Sequence, residues 1–266
     1  PLLPVWSEPD DEGPLAAVFA RIDDLDGAAA RGGGGFADGL ALRRAVDELL
    51  RVGAAGLAQG RSISVLFGGD DDLLACGPLR AVFRFVQRLV ERLRETVGEE
   101  GPSLSAGIAA ASPFARRGTD VARLARNARA EWGAAAAAGA GRTSALGAVF
   151  ETGEVGRLLE LGDDLVRLAR EAPGPTRALL ETALRVGDGG EAMPLSTHER
   201  LRARVHELAS RLGVDARALR GAAGGGAAST SEGLKTLVRE FPAMFGSGVA
   251  RVPLAYAVLL SEEIDA

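Results

Sequence analysis

The chain has 266 residues, room for one large domain or two ordinary ones, and its 47% hydrophobic and 25% charged content matches a folded globular protein and excludes a disordered one. A net charge of −5 excludes the global basic field that steers nucleic-acid binders, although the 31 Lys and Arg, all arginine but Lys235, leave room for local basic patches. The lone cysteine, Cys76, excludes a disulfide framework or a cysteine zinc site within the chain, and no apolar run reaches the ~20 residues of a membrane span. The expected compartment is therefore the cytoplasm. The chain opens on proline and is expected to be a piece of a longer protein.

The acidic, Pro-rich opening (1–14) reads as a lead-in. "LAAVFARI" (15–22) reads as a strand, and "DDLDGAAARGGGG" (23–35) as a loop. Helical spacing of apolar residues predicts a helix over 39–58. "SISVLF" (62–67) and "LLAC" (73–76) predict a hairpin whose tip carries Gly68, Gly69, Asp70, Asp71 and Asp72. An amphipathic helix follows over 78–97, with Pro78 at a natural first position. A strand (103–111), a helix (119–132) that Thr119 would cap, and a last strand (141–150) complete the first part. The order strand, helix, hairpin, helix, strand, helix, strand predicts an α+β, ferredoxin-like palm, an antiparallel sheet with helices on one face. The pattern turns helical beyond Glu151, over 153–171, 175–186, 196–212 and 230–241, with a loop at 222–233 and a short apolar helix at the end. The boundary is placed to give a palm over 1–150 and a helical domain over 151–266.

The chemistry concentrates at the hairpin tip. Adjacent carboxylates bind a hard divalent cation because the metal relieves their mutual repulsion and prefers oxygen. Glycine beside them lets a nucleotide approach the backbone. A charged, solvated turn guarding a sheet edge is the plainer reading of three aspartates alone. A second acidic loop, Asp23-Asp24-Leu25-Asp26, follows the first strand, and in a palm both loops face one site. The histidines His198 and His206 fall about two turns apart on one predicted helix, too far to share a metal.

The run "SISVLFGGDDDLLACGP", then a helix, then "SLSAGIAAASP", resembles the second palm domain of the large subunit of type III CRISPR effector complexes, which reads strand, Gly-Gly-Asp-Asp, apolar strand, Gly-Pro, helix, Ser-x-Gly-Ile. "ARIDDLDG" is similar to that family's Asp-Val-Asp-Asn-Leu-Gly strand end, "GRTSALG" to its closing Lys/Arg-Asn strand, and the remainder to its C-terminal helical domain. The resemblance implies antiviral defence by a nucleotidyltransferase that converts ATP to cyclic oligoadenylates with Mg²⁺ or Mn²⁺. It implies Asp71 and Asp72 as catalytic residues, metal at Asp71, Asp72, Asp23 and Asp70, and nucleotide at Gly68, Gly69, Ser105, Gly107 and Arg142. The implied partners are ATP, the other subunits, and guide and target RNA through the complex, with no membrane.

Two positions depart from the family pattern. Arg21 stands where the family has the first aspartate of its strand end, and Asp70 stands where it has the second glycine. Their opposite charges are expected to pair across the hairpin, leaving Asp71 and Asp72 for one ion. A degenerate palm that binds nucleotide or scaffolds the complex is one alternative. A diguanylate-cyclase-like enzyme is another, disfavoured because Asp and Leu stand where that motif has Glu and Phe.

Overall fold

A computed structural model describes residues 13–31, 36–98, 100–111, 120–171 and 250–261, with Thr176 and Leu180. The cap at Thr119, the helices over 196–212 and 230–241, the loop at 222–233 and both histidines lie outside the described residues, as do most of the predicted lead-in and most of 175–186. The chain divides into two compact units, residues 1–145 with 149–156, and residues 146–148 with 157–266.

The first unit is the palm. Its sheet runs β2 (Ser64–Gly69), β3 (Asp72–Pro78), β1 (Leu15–Ile22), β4 (Leu104–Ala110), β5 (Arg142–Ala145) and β6 (Ala148–Glu151) from edge to edge. β1 is antiparallel to both neighbours, and β4 is parallel to β5, so the sheet is mixed rather than purely antiparallel. The register sets Arg21 opposite Asp72 on one side and opposite Ser105 on the other.

Helices cover both faces, not one. β1 is an apolar run without alternation, and such a strand needs cover on each side. On one face Ala17 and Phe19 pack with Cys76, Ala109, Leu124 and Ala128 beneath α5 (Val121–Ala138). Ala16, Val18, Ala20 and Ile22 point the other way and are 0–2% exposed, and α4 (Leu79–Val97) lies against β1, β3 and β4. α4 buries Leu79, Val82, Phe83, Phe85, Val86, Leu89 and Leu93, each contributing roughly 1.5–3 kcal/mol by leaving water. Gly98, at φ 81, ends α4 where a side chain would be strained.

Four local readings change. The predicted loop at 23–35 holds helix α1 (Leu25–Arg31): the Asp24 carboxylate lies where a Gly27 Cβ would stand, and the Ala28 N–H donates to the Asp24 carbonyl, giving alanine-rich chain a helix start. The helix predicted over 39–58 is α2 (Phe36–Glu48), a π-turn (Leu49–Gly53) and α3 (Ala54–Ala58). The helix predicted over 119–132 is capped by Asp120, whose side chain accepts from the Ala122 N–H at 2.9 Å, and it continues through the alanines to Ala138. The last strand is split by a turn at Leu146–Gly147.

In the second unit α6 (Val155–Glu171) meets α7 (Arg251–Ser261): the Tyr256 hydroxyl donates to Asp163 at 2.9 Å, and its ring lies against Gly162.

Candidate functional site

The ends of β1 and the β2–β3 hairpin open on a cleft of about 650 Å³ lined by Arg21, Ile22, Asp23, Asp24, Leu25, Asp26, Arg43, Arg44, Asp47, Asp70 and Asp71. Both acidic loops therefore share one site with arginines from α2.

The hairpin tip is two residues long, Asp70 and Asp71, because Gly68 and Gly69 belong to β2 and Asp72 to β3. Asp70 has φ 53, a left-handed conformation that aspartate tolerates better than most residues and glycine adopts freely. Its N–H donates to the Asp47 carboxylate at 3.0 Å. Gly68 turns toward the π-turn: an added Cβ would stand 2.3 Å from the Leu50 carbonyl oxygen. Gly69 is buried beside Asp47 and Arg51. These glycines admit the helix to the hairpin.

Arg21 and Asp72 are joined in a two-point contact, Nε to Oδ1 at 2.5 Å and Nη2 to Oδ2 at 2.7 Å, and Arg21 Nε lies 3.6 Å from Asp71. The Asp72 carboxylate pushes the Arg21 guanidinium above its ordinary value, against the opposing cost of its partial burial. The guanidinium also lies 4.8 Å over the Trp132 ring, which meets Phe19 edge-on at 5.3 Å. The expected pair was Arg21 with Asp70. The strand register decides otherwise, since Asp72 lies opposite Arg21 while Asp70 sits at the tip.

Asp23 is a junction. Its Oδ2 accepts from Ser103 Oγ at 2.8 Å, Ser105 Oγ at 2.9 Å and the Gly141 N–H at 2.8 Å. Ser105 is 0% exposed and reaches the cleft only through Asp23. Gly107 is a packing glycine: an added Cβ would stand 2.0 Å from the Trp132 backbone nitrogen of α5. Arg142 donates its N–H to Ser105 Oγ at 3.3 Å, but its guanidinium lies 3.6 Å from Glu151 and not in the cleft lining.

The four aspartates expected to hold metal do not form a ready ligand set. Asp72 is held by Arg21 at both oxygens, Asp71 lies beside the same cation, and Asp23 is committed to three donors. Among the described residues no three His, Cys, Asp or Glu are grouped to hold an ion. A divalent cation at Asp71 and Asp72 would sit against a fixed guanidinium, so the residues as placed do not fit the family's metal centre.

Arg43, Arg44 and Asp47 were not singled out from sequence, although "RRAVD" puts positions one turn apart on one helix face. Arg43 pairs with Asp26, while Arg44 is exposed at the cleft.

Residues 15–144 match the family model described as Cas10/Cmr2, second palm domain. Over residues 15–144 this chain carries a Cas10/Cmr2 second palm domain. Solved structures similar to most of the chain include a Csm1-Csm4 cassette in complex with one ATP (14% identity, TM-score 0.59, covering 93% of this chain and 36% of that one) and the cassette in complex with cA4 (15%, 0.57, 92% and 36%). A third is the cassette with pppApApA (16%, 0.55, 92% and 37%). At such identities the likeness shows the fold, and this chain spans little more than a third of those chains' length. No curated protein matches the sequence. Among the described residues no helix of the Cas10/Cmr2 palm or of the second unit is long and apolar enough to cross a membrane.

Proposed function

We propose that the chain is the C-terminal part of a type III CRISPR large subunit, acting in the cytoplasm in antiviral defence, and that its palm takes ATP in the cleft and converts it to cyclic oligoadenylate. The observation that carries the reading is the Cas10/Cmr2 match laid on a sheet whose hairpin tip opens into a cleft lined by arginines as well as aspartates. Guanidinium groups suit a triphosphate because they present paired donors to its oxygens. The similar Csm1-Csm4 structures, one in complex with ATP and one with cA4, support the substrate and product classes. The second unit would dock neighbouring subunits, and guide and target RNA would reach the palm through the assembled complex.

One observation favours a second reading, a palm that binds nucleotide without synthesis: the Arg21–Asp72 contact occupies a carboxylate that the family's chemistry needs. The test is the assembled effector with its target RNA, labelled ATP or GTP, and Mg²⁺ or Mn²⁺. Cyclic oligoadenylate from ATP, lost when Asp71 and Asp72 are both changed to alanine, supports the first reading. ATP binding without product supports the second. Turnover of GTP in preference to ATP refutes both and returns the palm to a diguanylate-cyclase-like role.

A further inference from the structure

We infer that Arg21 is the resident cation of this site: it holds Asp72 in place of a divalent ion, and the palm takes a triphosphate with no metal at Asp72. Three observations converge. The contact engages both Asp72 oxygens, at 2.5 and 2.7 Å, so it spends the carboxylate's charge and its strongest acceptor directions at once. Its two partners cannot drift apart, because Arg21 and Asp72 face each other across paired strands and β1 is flanked by a strand on each side. The guanidinium is also backed by the Trp132 ring at 4.8 Å, and that ring is anchored edge-on against Phe19 in the core.

A metal at Asp72 would have to break both hydrogen bonds, and the displaced cation would stay near it, tethered in the strand. The two carboxylates that would share an ion with Asp72 are also engaged, since Asp71 lies 3.6 Å from the same guanidinium and Asp23 Oδ2 accepts from three donors. The Arg21 side chain is still 33% exposed and lines the cleft with Arg43 and Arg44. A triphosphate therefore meets fixed guanidinium charge where the family pattern leads one to expect a metal. Guanidinium is suited to that place, being permanently charged, planar and less strongly hydrated than a compact cation.

The metal arm of the test stands by itself; the nucleotide arm rests on the proposal that the cleft binds ATP. Mn²⁺ alone is titrated calorimetrically into the 266-residue chain. No saturable binding is expected for the unaltered chain or for Asp72→Asn. Arg21→Asp is expected to gain a saturable site and to lose it again when combined with Asp72→Asn. Arg21→Ala, which removes the cation without adding a carboxylate, gives the same reading should Arg21→Asp fail to fold by circular dichroism. Saturable Mn²⁺ binding to the unaltered chain that disappears in Asp72→Asn overturns the inference, and so does failure of every folded Arg21 variant to gain a site. In the second arm ATP is titrated in EDTA: binding that weakens about ten-fold or more in Arg21→Ala is expected, and binding that requires Mn²⁺ overturns the inference. If the Mn²⁺ results hold but ATP binds neither with nor without metal, the nucleotide reading fails while metal exclusion by Arg21 stands.

Discussion

The backbone N–H of Asp70 donates to the carboxylate of Asp47 at 3.0 Å, tying the hairpin tip to helix α2. That bond holds a non-glycine residue at φ 53. Asp47→Ala is expected to cost about 1–2 kcal/mol, the range for losing a charge-assisted hydrogen bond at a partly exposed site. It should also raise the exchange rate of the Asp70 amide. Asp70→Gly keeps the N–H and removes the side chain from a left-handed position, so stability should hold or rise by up to ~1 kcal/mol. Chemical denaturation and amide exchange measure both. An Asp47→Ala chain with an unchanged Asp70 exchange rate would show that the tip holds itself.

Asp23→Ala should be among the most damaging changes at the cleft. It removes the acceptor of three hydrogen bonds and strands the hydroxyl of Ser105, which is fully buried. The expected loss is roughly 2–4 kcal/mol, read from urea midpoints at constant slope. Asp23→Asn keeps an acceptor oxygen and should lose less.

Gly107→Ala and Gly133→Ala should act in opposite directions. An alanine Cβ at Gly107 meets backbone of α5 at 2.0 Å, and backbone cannot step aside as a side-chain tip can. A loss of 3 kcal/mol or more, at the upper end for overpacking, is the expected outcome. Gly133 lies in the interior of α5 with nothing within 4 Å, so alanine there should stabilise by about 0.5–1 kcal/mol. Thermal melts of the two variants decide the matter side by side.

Arg44→Ala should leave the melting temperature unchanged, since Arg44 is exposed, yet weaken ATP binding about ten-fold. An equal affinity for ATP in variant and parent would move the triphosphate away from α2.

Cys76 is buried, and burial pushes its thiol above the ordinary value. The native protein should therefore resist thiol reagents at pH 8 and react fully once unfolded. The unfolded thiol loses its proton at a lower pH than the folded one, so native stability falls as pH rises past the thiol's ordinary value. Rapid labelling of the native chain would show that β3 opens easily.

The strands and the long amphipathic helix α4 were legible because burial imposes a period along the chain, and glycine and proline mark its breaks. Helix α1 was missed because "DGAAAR" lacks an apolar stripe; its start depends on Asp24, not on periodicity. The charge imbalance at Arg21 was legible, but its partner was not. Pairing with Asp70 looks natural along the sequence, whereas a two-residue tip puts Asp72 on the strand opposite Arg21. Ser105 and Gly107 are another case: the motif marked both positions, but only the packing of α5 and the reach of Asp23 show what they contact. Such roles come from partners far away in the chain, which local pattern does not encode.

The Asp23 junction also bears on the order of assembly. Its donors come from 80, 82 and 118 residues downstream, so the carboxylate stays without its full set until the segment carrying Gly141 has been made and has reached the sheet. Long-separation closures of this kind slow folding. During synthesis the first strand and hairpin emerge early, but the full set of donors to Asp23, which lines the cleft, waits for the start of β5. A nascent palm stalled before that point would expose an unfinished pocket to proteases and chaperones, so the cleft is completed among the last features of its own domain.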